Sequence, residues 1–139
     1  IEERLKDTQV LYFAGGNTFY LLDQVIKTAC AEIIKNKIAD GVIYIGSSAG
    51  SMILGKRIDL VSTIDDRTKA PNLESDGLGI VDFALLPHWG SAAFREGYSR
   101  GFVNMYCEGN IILPLTNQQY IWVNDSRTEI IQVPTQENI

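Results

Sequence analysis

Ser48 stands in the sequence Gly46-Ser47-Ser48-Ala49-Gly50, directly after the apolar run Val42-Ile43-Tyr44-Ile45. Small residues around a serine between a strand and a helix are typical of a nucleophile elbow, a sharp turn in which bulky neighbours would clash. A serine hydroxyl is a weak nucleophile and needs a base, and the chain has one histidine, His88. The pattern predicts Ser48 as nucleophile and His88 as general base. The same serine-glycine turn is also compatible with a phosphate site at a helix N-terminus.

Attack by a serine on a carbonyl group also needs hydrogen-bond donors for the developing oxyanion. In elbow hydrolases the backbone N–H of the residue after the nucleophile, here Ala49, is one donor. A backbone N–H of Gly15 or Gly16 is predicted as the second, because a residue without Cβ allows close approach. Each donor lowers the barrier by about 3 kcal/mol. The alternative is that Gly15-Gly16 forms only a tight turn.

Apolar runs predict strands at residues 9–14, 42–46, 80–87 and 111–115. The continuous run 9–14 is typical of a strand buried on both faces, and 42–46 is predicted as the next buried strand. Between them lie helical patterns, at residues 17–28, 29–39, 48–54 and 91–107. This alternation predicts an α/β fold with a largely parallel sheet flanked by helices. Residues 120–123 and 129–133 flank a turn and predict a C-terminal β-hairpin.

Features within these segments refine the prediction. Asn17 is a good N-cap for the first helix. Aromatic residues spaced four apart predict a core-facing stripe on the last helix, formed by Phe94, Tyr98, Phe102 and Tyr106. The polar segment 56–79 is too long for a passive connection, and we interpret it as a substrate-side loop.

The strands place the reactive residues together. Gly15-Gly16, Ser48 and His88 each follow a predicted strand. In open α/β sheets the reactive crevice lies at the carboxyl ends of the strands, so we expect these groups to meet at one edge. A lone histidine at a strand end is often only structural. Here, however, the glycine turn, the serine and the histidine occur together at three strand ends, which favours a catalytic role.

Composition narrows the function further. With 139 residues we expect one domain, residues 1–139. The net charge of -5 and the lack of a Lys/Arg cluster argue against nucleic acid as partner. No apolar run approaches a membrane span and no signal peptide is visible, so we expect a cytoplasmic protein. Cys30 and Cys107 are expected to be reduced thiols, and with one histidine a zinc site is not expected.

Three blocks together resemble the peptidase E family of serine peptidases, which includes the cyanophycinases. They are Gly15-Gly16-Asn17-Thr18-Phe19, Gly46-Ser47-Ser48-Ala49-Gly50-Ser51-Met52 and Leu86-Pro87-His88. The resemblance spans about residues 9–125. It implies a three-layer fold similar to class I glutamine amidotransferases. The segment Asp65-Asp66…Ala70-Pro71 is similar to a bacterial peptidase E-like branch.

The resemblance carries roles onto matching residues. It implies Ser48 as nucleophile, His88 as base, and Gly15, Gly16 and Ala49 as oxyanion donors. It implies a small peptide with N-terminal aspartate as substrate and no metal or organic cofactor. A cyanophycinase-like activity on a β-aspartyl-arginine polymer is the alternative within the family.

The third triad member departs from the family pattern. The family carries an acidic residue in the segment that matches Leu115-Thr116-Asn117-Gln118-Gln119, where this chain has Asn117. An amide can still orient an imidazole, as Cys-His-Asn sites show. Asp125, in the hairpin turn, is the alternative acidic partner.

An aspartyl substrate carries a carboxylate, so we expect a basic residue near the site. The basic candidates are Arg67, Lys69, Arg95 and Arg100. Our predicted substrate-binding set is Asn17, Asp65 and Arg95.

Family members are usually longer, with strands before the glycine turn. Since this chain starts at Ile1, just before that turn, we expect a fragment whose sheet lacks an edge, which a homodimer would cover. A non-catalytic relative and another acyl hydrolase on the same machinery are the competing hypotheses.

Overall fold

The computed structural model describes residues 1–74, 76–107, 111–125 and 127–134, with the backbone alone for 102–107. The strands are β1 (Val10–Phe13), β2 (Ile43–Gly46), β3 (Ala84–Leu86), β4 (Ile112–Pro114), β5 (Gln119–Asn124) and β6 (Arg127–Gln132). The α-helices are α1 (Thr18–Lys27), α2 (Cys30–Ala39), α3 (Ala49–Met52) and α4 (Arg95–Cys107). Single 3₁₀ turns occur at Glu2–Leu5, Asp59–Val61 and Arg67–Lys69. The predicted α/β class is confirmed, and no helix within these ranges has the length and apolar character needed to cross a membrane.

The strands pair two by two. β1 runs parallel to β2 with Val10 opposite Ile43, and β3 runs parallel to β4 with Ala84 opposite Ile112. β5 and β6 pair antiparallel across the turn at Asp125. Within the described residues these are three two-stranded sheets, so the single largely parallel sheet that we predicted is not formed there. The three-layer arrangement stays a prediction.

The third predicted strand, residues 80–87, is shorter than expected. The backbone N–H groups of Ile80 and Val81 both donate to the carbonyl of Leu54. Because these donors are used by the preceding loop, they are not available for a strand ladder. Ladder pairing with β4 is therefore confined to Ala84–Leu86.

The β1–β2 pair is covered on one face only. Leu11 is buried against core residues of α1 and α2, including Leu22 and Ile34. On the opposite face the side chains of Tyr12 and Ile43 are 64% and 60% exposed. The apolar runs had predicted burial on both faces, and this prediction is wrong for the described residues because helices pack against one side alone.

Local signals set the helix ends. The side chain of Asn17 accepts a hydrogen bond from the Tyr20 N–H at 2.9 Å, so the predicted N-cap of α1 is confirmed. The break between α1 and α2 is at Ala29, which adopts a left-handed conformation with φ of 56°. α4 begins at Arg95, four residues later than residue 91, where we predicted its start.

The aromatic stripe on α4 is described in part. Tyr98 is buried in a second small core with Leu60 and Leu86, and Phe94 packs against that cluster. Phe102 and Tyr106 lie outside the described side chains. The buried half of the stripe therefore matches the predicted core role.

The described residues of the long segment 56–79 are irregular, as predicted, and contribute to the core. Ile58, Val61, Leu73 and Leu78 are buried there. The apolar residues of this segment fix its path, so its polar residues have defined positions near the site. Its role as a substrate-side loop stays a prediction.

Candidate active site

Ser48 lies in a strained turn between β2 and α3. Its backbone has φ of 52° and ψ of -116°, which a residue with a side chain rarely adopts. Such strain persists only when the surrounding structure holds it, and it is concentrated at functional sites. The Ser48 side chain makes no capping bond to α3, although the residue occupies the N-cap position. The hydroxyl is therefore free to face another group.

Two glycines make the turn sterically feasible. A Cβ on Gly46 would lie 2.6 Å from the carbonyl oxygen of Gly50, and a Cβ on Gly50 would lie 2.7 Å from the carbonyl carbon of Phe13. The hydroxyl of Tyr44 donates to the Gly50 carbonyl at 2.6 Å, and burial raises the pKa of Tyr44 so that it remains a donor. The small residues of the motif are thus required by backbone contact.

His88 connects Ser48 to Asn117. Its Nε2 lies 3.0 Å from Ser48 Oγ, and its Nδ1 lies 2.7 Å from Asn117 Oδ1. With the amide oxygen facing Nδ1, that nitrogen carries the proton and Nε2 presents a lone pair to the serine hydroxyl. This is the protonation pattern that a general base requires.

The ends of β3 and β4 bring Asn117 to the histidine. The Leu115 N–H donates to the Leu86 carbonyl at 2.9 Å, and the Trp89 N–H donates to the Leu115 carbonyl at 2.8 Å. These bonds align the segment after Leu115 with the segment that contains His88. Asp125, the other predicted partner, is instead exposed in the β5–β6 turn with φ of 49°.

The glycine turn after β1, which carries predicted oxyanion donors, lies next to Ser48. A Cβ on Gly15 would lie 3.7 Å from Ser48 Oγ, so the glycine turn after β1 abuts the hydroxyl. Ala49 is fully buried at the start of α3, and Gly16 has φ of 145°. Within the described part of the chain, the N–H groups of Ala49 and Gly16 donate to no other residue. Their roles as oxyanion donors stay predictions.

Two residues of the predicted substrate-binding set contact the protein itself. The Asn17 amide donates to the Asp66 carbonyl at 2.9 Å. A carboxylate oxygen of Asp65 accepts from the Thr18 N–H at 2.8 Å and from the Thr18 hydroxyl. These bonds attach the long segment to the start of α1, directly after the glycine turn. Their substrate-binding roles stay predictions.

The basic candidates differ in their surroundings. Arg67 donates to the Leu73 carbonyl at 2.8 Å and lies over the Phe19 ring, and Arg100 lies 3.6 Å from Glu96. Lys69 and Arg95 are exposed. Arg95 follows Phe94, whose ring stacks on His88 at 4.9 Å between centroids. Arg95 is therefore the basic candidate that directly follows a residue in contact with His88.

Sequence reasoning assigned Phe94 and Tyr98 to the core and missed their contacts at the site. Phe94 stacks on the imidazole of His88 with the ring planes 14° apart. The Tyr98 hydroxyl donates to the carbonyl of Pro87 at 2.7 Å. The available signal was their position, six and ten residues after His88 at the start of a helix.

No group of three His, Cys, Asp or Glu side chains that could hold a metal ion occurs within the ranges that the structure describes. The imidazole of His88 contacts Ser48 Oγ through Nε2, and the amide oxygen of Asn117 contacts the other ring nitrogen. Chemically, this arrangement can accept a proton from the serine hydroxyl.

We expect Asn117→Ala to lower kcat by about 10- to 100-fold, because general-base catalysis is worth about 10²–10⁴-fold and depends on an oriented imidazole. Asn117→Asp should shift the acid limb of the kcat/KM profile to higher pH, because a carboxylate stabilises the imidazolium. Reaction rates from pH 5 to 9 measure both effects. Asp125→Asn is the control and should leave rate and profile unchanged. An Asp125→Asn loss larger than that of Asn117→Ala would reverse the assignment.

We expect Asp65→Ala to lower the free energy of unfolding by about 2 kcal/mol, since it removes the carboxylate that accepts hydrogen bonds from the Thr18 N–H and hydroxyl. Urea denaturation followed by fluorescence measures this change. Glu74→Ala, an exposed acidic residue on the same segment, should change it by less than about 0.5 kcal/mol. Unchanged stability with a raised KM would favour substrate binding by Asp65 instead.

Comparison with known proteins relates the sequence of this chain to a family of peptidases. The model of peptidase family S51 matches residues 1–131. An uncharacterized peptidase of Listeria monocytogenes is 36% identical over 124 residues, 88% of this chain and 60% of that protein. One of Pasteurella multocida is 36% identical over 133 residues, 95% of this chain and 63% of that protein. Peptidase E of a Shewanella species is 34% identical over 87 residues, 63% of this chain and 36% of that protein.

A solved structure is similar as well. The 1.5 Å crystal structure of the "Putative Peptidase E Protein" from Listeria monocytogenes EGD-e superposes with a TM-score of 0.84 at 31% identity. The match covers 96% of this chain and 64% of that one. The chain thus spans about three fifths of the length of the first two relatives.

Proposed function

Because the chain belongs to peptidase family S51, we propose that it is a serine peptidase that hydrolyses short peptides with an N-terminal aspartate. The observation that carries the proposal is the position of His88, with one ring nitrogen 3.0 Å from Ser48 Oγ and the other 2.7 Å from Asn117 Oδ1. Membership of a peptidase family supports the reaction class, and the aspartate preference rests on the resemblance to peptidase E.

In the proposed reaction Ser48 Oγ attacks the scissile carbonyl carbon while His88 Nε2 accepts the hydroxyl proton. The imidazolium then donates this proton to the leaving amine, and an acyl-enzyme ester remains on Ser48. Water then attacks the ester carbonyl carbon while His88 Nε2 accepts a proton from the water. The imidazolium donates this proton to Ser48 Oγ, which leaves as the free serine hydroxyl. Asn117 holds the tautomer by accepting the hydrogen bond from Nδ1 throughout.

The oxyanion of each tetrahedral intermediate accepts hydrogen bonds from the N–H groups of Ala49 and Gly16. Two features support this role. Both N–H groups lack a hydrogen-bond partner within the described residues, and the adjacent Gly15 lies against Ser48. Fixed backbone donors of this kind stabilise developing charge without reorganisation.

For the aspartyl side chain we propose Arg95 as the carboxylate-binding residue and Lys69 as the alternative. Both side chains are exposed, whereas Arg67 and Arg100 contact groups of the protein itself. We further propose, on the sequence alone, a cytoplasmic location and a homodimer that covers exposed sheet surface.

The test is hydrolysis of matched dipeptides that differ at the first residue: Asp-Leu, Asn-Leu, Glu-Leu and Leu-Leu. We expect release of free leucine from Asp-Leu at a kcat/KM at least about 100-fold above that for Asn-Leu, because an unpaired carboxylate-binding group disfavours the neutral isostere. Equal rates on all four peptides would disprove the aspartate preference. If the protein hydrolyses neither these peptides nor other acyl substrates, the proposed enzymatic activity is disproved.

One observation favours a second candidate, a non-catalytic binding domain. Where the family carries an acidic residue, this chain has Asn117, whose amide oxygen faces His88. An amide stabilises an imidazolium less well than a carboxylate does. A fluorophosphonate probe separates the candidates, because it labels an activated serine without needing the right peptide. Labelling at Ser48 supports the peptidase, and folded protein without label supports the binding domain.

A further inference from the structure

His88 has an unusual backbone conformation. Its φ is 61°, in the left-handed region, although it carries a large side chain. This conformation costs about 1–2 kcal/mol for an L-residue and is maintained only by neighbouring contacts. This torsion sets the direction of the Cα–Cβ bond relative to the preceding peptide, and the ring is carried on that bond. Contacts that hold the preceding peptide therefore contribute to where the ring lies.

The peptide bond between Pro87 and His88 is held by Tyr98. The carbonyl oxygen of Pro87 and the N–H of His88 belong to one rigid plane, and φ of His88 is the rotation about the bond leaving that plane. Tyr98 Oη donates a buried hydrogen bond of 2.7 Å to this carbonyl. Burial, and secondly the charge of Asp65, raises the pKa of Tyr98, so the hydroxyl stays protonated.

Tyr98 is itself immobilised by its neighbours. It is 2% exposed, and its ring lies 5.6 Å from Trp89 and 6.2 Å from Phe94 between centroids. Phe94 in turn stacks on the ring of His88 at 4.9 Å. The base is thus supported at its backbone by Tyr98 and at its ring face by Phe94, both from the region where α4 begins.

We propose that Tyr98 is a positioning residue that sets the orientation of His88 through its hydrogen bond to the Pro87 carbonyl. This inference rests on the proposed function, in which His88 is the general base. Tyr98 contacts neither Ser48 nor the substrate in this account, and its effect passes through the strained peptide.

The test is Tyr98→Phe, which removes the hydroxyl and keeps the ring. We expect kcat on the best dipeptide to fall by about 10-fold with KM changed by less than about twofold, because part of the 10²–10⁴-fold effect of general-base catalysis is lost. His88 is the only histidine, so its ring gives a single Hε1 resonance in the proton NMR spectrum. This resonance should move or broaden in Tyr98→Phe.

Ile34→Val is the matched control for stability. It removes one methyl group from a side chain that is 2% exposed on α2, at a cost of about 1 kcal/mol. It should leave kcat and the His88 resonance unchanged. An unchanged His88 resonance in folded Tyr98→Phe would overturn the inference, whether or not the protein is a peptidase.

A second measurement needs no variant and covers the case in which Tyr98→Phe does not fold. The hydroxyl proton of Tyr98 in the wild-type protein should exchange slowly with water and be detectable by NMR. Fast exchange would contradict the proposed hydrogen bond. If wild-type protein neither hydrolyses peptides nor reacts with a fluorophosphonate, the proposed function fails, while both NMR results still decide how His88 is held.

Discussion

Replacement of Ser48 by alanine is expected to reduce peptide hydrolysis by about 10⁴-fold or more and to abolish fluorophosphonate labelling. Loss of the nucleophile in serine peptidases costs up to about 10⁶-fold in kcat. In this chain the hydroxyl has no capping role, so its removal leaves α3 intact. We therefore expect KM to stay within a few-fold of its wild-type value, with the loss in kcat.

Single-turnover assays with excess enzyme measure this loss, and circular dichroism verifies the fold. Ser99→Ala is the control, because Ser99 is an exposed serine on α4 whose hydroxyl donates to the Arg95 carbonyl. It should retain full activity and labelling. Wild-type activity in Ser48→Ala would remove the nucleophile from the mechanism and with it the serine peptidase assignment.

Replacement of Gly50 by alanine is expected to destabilise the protein by about 3 kcal/mol or to prevent folding. The new Cβ would lie 2.7 Å from the carbonyl carbon of Phe13 and 2.8 Å from its Cβ. Overpacking in a dense interior costs about 1–3 kcal/mol, and contact with backbone at this distance falls at the upper end. Because β1 and α3 would have to separate, we also expect the Gly15 turn to move away from Ser48.

Chemical denaturation measures the stability change, and Gly41→Ala separates its two causes. Gly41 has φ of 88°, and no atom lies within 4 Å of the position that a Cβ would take, so alanine there meets strain without a clash. We expect Gly41→Ala to cost about 1 kcal/mol with activity retained. If Gly50→Ala proves no more destabilising than Gly41→Ala, close approach of β1 and α3 is not what fixes the elbow.

The two residues of the site with a strained backbone have side chains that face each other. Ser48 and His88 both have positive φ, at 52° and 61°, and their side chains meet at 3.0 Å. Backbone strain persists where surrounding contacts hold it. For Ser48 these contacts are the glycine packing and the Tyr44 bond, and for His88 they are the bonds of the β3 and β4 ends and of Tyr98.

The sequence determined the local features of this protein. The elbow requires Gly46 and Gly50 for contacts within a few residues or with the adjacent strand, so the motif itself carries the information. Asn17 caps its own helix, and short-range capping is readable from residue type. Three blocks in the right order also predicted the family, which the match over residues 1–131 confirmed.

Only the tertiary structure decided which distant groups meet. The choice between Asn117 and Asp125 as neighbour of His88 depended on the pairing of β3 with β4, which places Asn117 at 2.7 Å. The contacts of Asp65 with Thr18 and of Tyr98 with Pro87 were likewise not predicted by the sequence pattern. Sequence periodicity reports which face of an element is apolar, whereas the partner of a polar group depends on how whole elements pack.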